Sequence, residues 1–441
     1  MDACPVAAGA TTGVPALPPG PRLPALVQTL LLRSRTPYFL AWCRRRLGDV
    51  FTVHDLVGGP QVFLADPAHI RAVFAADPDV LRAGEGNSIL APILGWRSVL
   101  LLDGAEHRER RRLMLPAFSA AQVRRQEDLL REVVAAGLAG WPVDRPFRCR
   151  RHAQDIALEI ILRVMLGVRE PVRSARLRAE LPRIVEVSPF DLLATSFPAL
   201  PTGGRRRRYV AHRERVLSLL DDEIALRRDD PALDERDDVL SSLVRAYAAA
   251  GRPTGDGDLR DQLLTLLVAG HETTATALAW TLELLSRDED ARRELAASVT
   301  AGSSAYSSAV VNEALRLRPV ISLVARRLHA PVAVGEHVVP AGATLCPAIA
   351  LVHADPAVHP EAARFRPGRW LDGDPGLTLP FGGGNRRCLG APFAVAELRV
   401  AVEEIARRFD VLPVGRRPER SRMRHITAVP ARGARIRLRP R

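Results

Sequence analysis

The chain contains no lysine, few cysteines and few aromatic residues. All 63 basic side chains are therefore arginine, and with 50 acidic residues they give the 441-residue chain a formal net charge of +13. The five cysteines are scattered and odd in number, which argues against a disulfide framework and favours a reducing compartment. Because aromatic residues make up 5% of the sequence while 47% is hydrophobic, the core must consist largely of leucine, alanine and valine, which suits helices.

The excess of arginine has two interpretations. A basic face would bind nucleic acid or an acidic protein. A coding bias toward arginine would instead spread the charge over the whole surface. We favour coding bias as the main cause and expect no nucleic-acid partner, and an acidic redox partner is compatible with it.

Signals for secretion and for a membrane span are also lacking. The first residues, MDACPVAAGATTG, show no basic segment followed by an apolar core. The apolar run at residues 23–32 is too short to cross a bilayer, which takes about 20 residues. A longer run at residues 263–285 is interrupted by His271 and Glu272. We therefore expect a cytoplasmic chain with no membrane partner.

Local patterns divide the chain into a flexible, Pro-rich lead at residues 1–22 and a single domain at 23–441. Residues 23–47 are predicted to be helical, and a hairpin turns at Gly58-Gly59. An apolar loop is expected at 83–100 and a mobile lid at 188–208, where apolar residues mix with glycine and proline. The C-terminus predicts a hairpin with its tip near Thr427 and Ala428.

Residues 259–287 predict a long helix, which would extend about 44 Å and cross the centre of the domain. Its middle, Ala269-Gly270-His271-Glu272-Thr273, combines small residues, an acid and a hydroxyl. Small residues let a bulky ligand press against the backbone, and a threonine can hydrogen-bond a carbonyl one turn back. Either a helix kink whose polar groups are all hydrogen-bonded or a functional site would explain these polar residues.

Two further pairs of residues share a helix face. His107 and Arg111, four apart, suit a carboxylate such as a haem propionate, although an ordinary basic helix surface has the same pattern. Glu313 and Arg316, three apart, form a favourable ion pair, but such pairs are common on surfaces.

One cysteine has an unusual context. Cys388 lies in the segment FGGGNRRCLG, residues 381–390, directly before the helix-like sequence APFAVAELRVAVEEIARRF. Glycines let backbone N–H groups approach the sulfur, and a helix N-terminus favours negative charge, so the sulfur is suited to be a thiolate. A zinc site would lack ligands, since no second cysteine is nearby. An axial ligand of haem iron fits better, and the alternative is a buried structural cysteine.

Together these segments resemble the cytochrome P450 family. The segment FGGGNRRCLG is similar to the family's haem-binding signature, with Phe381, Gly384, Arg386, Cys388 and Gly390 at its five fixed positions. The His-x-x-x-Arg pair, the oxygen-activation motif in the long helix and the Glu-x-x-Arg motif occur in family order. The resemblance implies a mainly α fold with a minor β part, in which the long helix lies over a b-type haem.

The resemblance also implies roles for individual residues. Cys388 would ligate the haem iron, Thr273 would hydrogen-bond the dioxygen on it, and Glu272 would help to relay protons. Further contacts with the haem are expected from His107, Arg111, Ala269, Gly270, Arg326 (or Arg327), Phe381, Arg386 and Gly390.

A third set of family residues would be structural. Glu313 and Arg316 would pair with Arg369, from FRPGRW, and brace the cysteine loop. Gly368 stands where the family usually has glutamate. Arg369, which would form the pair with Glu313 and Arg316, is still present.

The implied function is that of a haem-thiolate monooxygenase, which hydroxylates or epoxidises a hydrophobic small molecule with one oxygen atom from O2. Electrons would come from NAD(P)H through a ferredoxin reductase and a ferredoxin, and a monomer is expected. A peroxide-driven peroxygenase is the alternative, but such relatives tend to replace the Glu272–Thr273 pair. Substrate contacts are expected at Ile93, Val268, Val320, Leu323 and Thr427.

Overall fold

The computed structural model describes residues 6–8, 14–185, 204–255, 257–373 and 375–441. The α-helices, in chain order, are α1 (Ala25–Ser34), α2 (Thr36–Leu47), α3 (Pro67–Ala75), α4 (Ala83–Gly86), α5 (Ala91–Leu94), α6 (Gly104–Met114), α7 (Ala120–Arg125), α8 (Glu127–Ala139), α9 (Cys149–Ile160), α10 (Pro171–Val185), α11 (Arg205–Arg228), α12 (Val239–Ala249), α13 (Asp258–Arg287), α14 (Glu289–Thr300), α15 (Ala305–Leu317), α16 (Ile349–His353) and α17 (Ala391–Arg408).

The strands are short. They are β1 (Val6–Ala8), β2 (Val50–Asp55), β3 (Gly59–Leu64), β4 (Leu81–Arg82), β5 (Phe147–Arg148), β6 (Arg326–Leu328), β7 (Val332–Val334), β8 (His337–Val339), β9 (Thr344–Pro347), β10 (Phe409–Pro413), β11 (Ser421–Arg424), β12 (Thr427–Pro430) and β13 (Arg435–Pro440). The predicted fold class, mainly α with a minor β part, is confirmed.

The chain divides into two compact units. Unit 1 comprises residues 1–87, 280–388 and 415–434, and unit 2 comprises residues 88–279, 389–414 and 435–441. The expectation of a single domain at residues 23–441 remains a prediction.

Unit 1 is built on a sheet with strand order β2-β3-β9-β6-β4. Strands β2 and β3 pair antiparallel, and β3 pairs parallel with β9. Val62 and Leu64 pack into one apolar cluster, while Phe63 between them packs into another. Successive side chains of a strand point to opposite faces, so this sheet is buried on both sides.

Unit 2 consists mainly of helices, with a small sheet of order β10-β13-β5. Helix α17 packs against α8, and ion pairs frame the contact: Arg399 lies 2.7 Å from Glu127, and Arg131 lies 2.8 Å from Glu404. In these two pairs, a charge on one helix is matched by an opposite charge on the other.

Residues 258–279 of the long helix α13 belong to unit 2 and are mostly buried. The polar side chains of this stretch have partners. Gln262 accepts a hydrogen bond from the backbone N–H of Val99 at 2.8 Å, and Thr265 donates to the carbonyl oxygen of Asp261 at 2.6 Å. Within the described parts of the chain, no helix is long and apolar enough to cross a membrane.

Three local predictions need correction or lie beyond the described residues. Residues 83–100 are not one loop, because α4, a 3₁₀ turn (Ser88–Leu90) and α5 lie within them. The C-terminal hairpin turns at His425 and Ile426, where His425 has a φ of 55°, so Thr427 lies in strand β12 rather than at the tip. Most of the predicted lid at 188–208, namely residues 188–203, lies outside the described residues.

Candidate functional site

The loop at residues 381–388 of unit 1 holds Cys388. The loop closes on itself, since the backbone N–H of Cys388 donates to the carbonyl oxygen of Phe381 at 2.9 Å. Between these residues lies a 3₁₀ turn (Gly384–Arg386) that rests on the end of α3. Gly384 has a φ of 62°, and a side chain there would collide with the carbonyl oxygen of Phe74. Glycine is therefore required for the loop to reach α3.

Cys388 differs from the other cysteines that the structure describes. It is exposed, whereas Cys43, Cys149 and Cys346 are buried. Burial raises the pKa of Cys43 to about 11 and that of Cys346 to about 12, and it raises the pKa of Cys149 as well. Those three thiols stay protonated at neutral pH, while the sulfur of Cys388 is accessible to a metal.

Arg326 lies close to the same loop. Its guanidinium carbon is 5.8 Å from the centre of the Phe74 ring, and only 7% of the residue is exposed. Phe74 also contacts the loop, because a side chain at Gly383 would collide with its ring. The structure thus brings Arg326, Phe381, Arg386 and Cys388 into one region of unit 1, with Phe74 as a shared support.

Glu313, Arg316 and Arg369 form a buried network in unit 1. Arg316 donates two hydrogen bonds of 2.8 Å to the two carboxylate oxygens of Glu313, and both side chains are fully buried. Arg369 donates to the same carboxylate at 3.0 Å, and the indole of Trp370 donates at 3.1 Å. Burial alone would raise the pKa of Glu313, but the hydrogen bond and charge of Arg316 outweigh burial, and the pKa is lowered.

A histidine that the sequence analysis missed links this network to the cysteine loop. The ring of His353 pairs through Nδ1 with the carbonyl oxygen of Arg316 at 3.0 Å and through Nε2 with the backbone N–H of Leu379 at 2.8 Å. Because Nε2 accepts a hydrogen bond, Nδ1 must carry the proton. Burial lowers the pKa of His353 to about 3, so the ring is neutral. The carbonyl oxygen of Leu379 in turn accepts from Gly382, inside the loop.

In unit 2, His107 and Arg111 lie one turn apart on α6. His107 is buried and Arg111 is half-buried. The neighbouring Arg110 forms an ion pair of 2.7 Å with the buried Asp258. A carboxylate more than a hundred residues away explains why the helix pattern alone did not reveal this pair.

The centre of α13 is more open than the turns around it. Ala269 is exposed and Gly270 half-buried, although the residues of the flanking turns are mostly buried. The hydroxyl of Thr273 donates to the carbonyl oxygen of Ala269 at 2.6 Å. Among the described residues, a side chain added at Gly270 would approach only the sulfur of Met165, at 4.0 Å. Contacts with these residues therefore do not require a glycine here, whereas close approach of a flat ligand would.

Glu272 is held by helix α9. Arg150 donates to one oxygen of its carboxylate at 2.6 Å, and Gln154 donates to the other at 2.8 Å. The carbonyl oxygen of Gln154 also pairs with the ring of His271 at 3.1 Å. Sequence reasoning missed Arg150 and Gln154, whose four-residue spacing on α9 is their only local signal.

Gly390 directly precedes α17 in unit 2. A side chain added there would meet nothing within 4 Å in the part of the chain that the structure describes, so packing against those residues does not require glycine at this position. As at Gly270, the missing side chain leaves room for a ligand close to the backbone.

The predicted substrate residues fall into separate groups. In unit 2, Ile93 and Val268 belong to one apolar cluster with Leu94 and Tyr209. In unit 1, the segment with Val320 meets the C-terminal hairpin, where the carbonyl oxygen of Val320 accepts a hydrogen bond of 2.8 Å from Ala428. Thr427, the residue before Ala428, is buried, and its hydroxyl donates a hydrogen bond to the backbone carbonyl oxygen of Arg424. Leu323 packs instead with the core around Phe39.

Glu397 on α17 is a buried acid that no motif singled out. It lines a small cavity of unit 2 together with Ile156, Thr274, Leu278 and other apolar residues. Burial raises its pKa to about 8, so the carboxyl is largely protonated at neutral pH.

Comparisons with known proteins agree on one family. Residues 17–437 match the family model described as Cytochrome P450. The chain is 46% identical over 432 residues to cytochrome P450 135B1 of Mycobacterium tuberculosis, covering 96% of this chain and 91% of that one. It is 40% identical over 434 residues to cytochrome P450 135A1 of the same species, covering 98% and 96%. A solved structure of retinoic acid-bound cyanobacterial CYP120A1 is similar with a TM-score of 0.82 at 23% identity, covering 97% and 100%.

The buried network predicts a large loss of stability when its acid is removed. Glu313→Ala would leave Arg316 buried without a counter-charge, so we expect the free energy of unfolding to fall by roughly 3–5 kcal/mol in a denaturant titration. The matched control is Arg364→Ala, which breaks the exposed 3.0 Å pair with Glu361. This control should lose less than about 1 kcal/mol. Similar losses in the two variants would contradict the importance of the network.

Glu397 predicts an unusual dependence of stability on pH. Its pKa is about 8 in the folded chain against a reference value of 4.5. Between these values the folded state holds more protons than the unfolded state, so stability falls as pH rises, by at most about 1.4 kcal/mol per pH unit. Because Glu397→Gln does not titrate, its melting temperature relative to the wild type should rise steadily from pH 5 to pH 8. A constant difference over this range would show that Glu397 is not held protonated.

Proposed function

The chain belongs to the cytochrome P450 family of haem b monooxygenases, and on that premise we propose that it inserts one oxygen atom from O2 into a hydrophobic small molecule. The observation that carries the proposal is the adjacent acid and hydroxyl of Glu272 and Thr273 on the open stretch of α13. When bound, the haem supplies the chemistry of O2 cleavage. The chain must supply the ligand, the position of the substrate and the protons.

The residues present fit a haem. Cys388 would supply the sulfur that ligates the haem iron, since this residue is exposed on a loop closed by a backbone hydrogen bond. Arg326 and Arg386 in unit 1, and His107 and Arg111 in unit 2, would donate hydrogen bonds to the propionates. Phe381, Ala269, Gly270 and Gly390 would contact the haem. Among the described residues, a side chain added at Gly390 would meet nothing within 4 Å and one at Gly270 only the Met165 sulfur, although several turn glycines are equally open.

Glu272 would deliver protons, and its contact with Arg150 would control the delivery. Both oxygens of the carboxylate are engaged, one by Arg150 at 2.6 Å and the other by Gln154 at 2.8 Å. To pass a proton on, Glu272 must turn one oxygen away from these donors, because a hydrogen bond from either side chain occupies the oxygen that would take the proton. Exchange of these hydrogen bonds would thus control the delivery.

Thr273 would pass the proton on. Its hydroxyl donates to the carbonyl oxygen of Ala269, which fixes the side chain and leaves its own oxygen able to accept a second hydrogen bond. A proton received at this oxygen allows the hydroxyl to donate toward the open face of the helix. This role needs the hydroxyl itself, and serine could supply it as well.

The substrate would be hydrophobic. Ile93 and Val268 lie in an apolar cluster of unit 2, and Val320 and Thr427 lie together in unit 1. We propose these residues, with Leu323, as substrate contacts. A terpenoid, fatty acid, steroid or polyketide would meet such side chains, and hydroxylation and epoxidation are both compatible with them.

The electrons would come from NAD(P)H through a ferredoxin reductase and a ferredoxin. The formal charge of +13 favours an acidic partner, whose docking would weaken with added salt. We expect a monomeric, cytoplasmic enzyme that meets its partners transiently.

The test uses Thr273 after a substrate has been found by the shift of the haem spectrum in a compound panel. With Thr273→Ala, NAD(P)H should still be consumed, but product should fall at least about tenfold while peroxide rises, because protons no longer reach the right atom. Thr273→Ser keeps the hydroxyl and should restore most of the product. Turnover with peroxide alone, undiminished in Thr273→Ala, would identify a peroxygenase and overturn the proposal.

A further inference from the structure

Helix α1 of unit 1 exposes part of its apolar side chains, although Leu31 and Leu32 pack on the core. Its polar residues Gln28 and Thr29 are 2% and 8% exposed, while Leu26 and Leu30 are each 58% exposed. The buried polar groups are satisfied by strand β2 and the residue after it. Gln28 accepts a hydrogen bond of 2.9 Å from the backbone N–H of His54, and Thr29 accepts one of 3.0 Å from Leu56. These bonds fix which face of the helix points outward.

The turn between β2 and β3 adds to this outward face. Leu56 is 62% and Val57 is 57% exposed, and the bond from Leu56 to Thr29 places the turn against the middle of α1. Arg33 of α1 also binds Asp55 at 3.1 Å, at the end of β2. Two elements of different structure therefore present aliphatic side chains side by side. We call Leu26, Val27, Leu30, Leu56 and Val57 the α1 face.

The exposed charges of the segment that contains α1 are positive, and the acid next to the face, Asp55, is buried against Arg33. Residues 14–48 contain no acidic residue but carry Arg22, Arg33, Arg35 and the run Arg44–Arg46. Arg22 and Arg35 flank the helix and are exposed. Aliphatic side chains bordered by arginine are suited to a surface that is apolar at depth and anionic at its edge. A protein partner with an acidic apolar surface would satisfy the same charges, but a bilayer also accepts a convex face without a matching groove.

We propose that the α1 face docks on the surface of an anionic phospholipid bilayer. The leucines and valines would enter the boundary between headgroups and acyl chains, and Arg22 and Arg35 would pair with phosphates. The chain would lie on the bilayer without crossing it. This inference departs from the expectation, drawn from the sequence, that no membrane is involved, and it does not depend on the proposed oxygen chemistry.

Docking on a bilayer would bring the chain to hydrophobic molecules dissolved in it. The free energy of docking would come mainly from buried aliphatic area, with an electrostatic contribution that falls with salt. Binding should therefore be strong on vesicles with anionic lipid, weaker on neutral ones, and sensitive to loss of either the leucines or the arginines.

The experiment is sedimentation of the haem-loaded full chain with vesicles of phosphatidylcholine, with and without phosphatidylglycerol. We expect the wild type to sediment with the anionic vesicles, and Leu26→Ser/Leu30→Ser to bind them about tenfold more weakly. The matched control is Leu226→Ser/Leu371→Ser, which alters two leucines 52% and 51% exposed elsewhere on the surface. This control should bind as the wild type does.

A second pair of variants separates charge from apolar contact. Arg22→Gln/Arg35→Gln should lower binding to anionic vesicles and reduce its dependence on salt, while leaving the weak binding to phosphatidylcholine unchanged. Because these residues are exposed, all variants should keep the wild-type melting temperature. The proposal is overturned if the wild type stays in the supernatant, or if Leu26→Ser/Leu30→Ser binds as well as the wild type. It is also overturned if the α1 face instead joins two copies, seen as a wild-type dimer that this variant converts to a monomer.

Discussion

The bidentate pair of Glu313 and Arg316 supports everything that unit 1 contributes to the site. Both side chains are fully buried, so neither charge can be left without the other. Arg316 also donates to the carbonyl oxygens of His353 and Ala362, and Glu313 accepts from Arg369 and Trp370. One ion pair therefore fixes segments that are far apart in the sequence. Through His353 and Leu379 the same network reaches the loop of Cys388.

Unit 2 contributes an acid and a hydroxyl, Glu272 and Thr273, in the middle of a mostly buried helix. Arg150 and Gln154 compensate Glu272, and the carbonyl oxygen of Ala269 compensates Thr273. These partners lower the cost of burying polar groups without removing them from the open stretch of α13. Because these contacts already engage the Glu272 carboxylate and the Thr273 hydroxyl, either group must exchange one of these hydrogen bonds for another before it can pass a proton on. That exchange is part of the proposed proton delivery.

Much of this could be predicted from the sequence, because its motifs are short and local. The spacing of Phe381, Arg386 and Cys388 and the polar centre of α13 point to both parts of the proposed chemistry before any contact is known. The partners of these residues were not predictable. Arg150, His353 and Glu397 meet groups distant in sequence, and within their own helices they resemble ordinary polar positions. In helix α1, Leu31 and Leu32 pack on the core while Leu26 and Leu30 are exposed, and only the contacts of Gln28 and Thr29 with β2 and Leu56 reveal which leucines face outward.

The ligation of haem iron by Cys388 is the central claim of this account. The most direct test is the absorption spectrum of the reduced, carbon-monoxide-bound protein in the wild type, in Cys388→Ser and in the control Cys346→Ala, which alters a buried cysteine. We predict the red-shifted Soret band of a thiolate-ligated haem in the wild type and in Cys346→Ala, and its loss in Cys388→Ser. Retention of that band in Cys388→Ser would contradict the assignment.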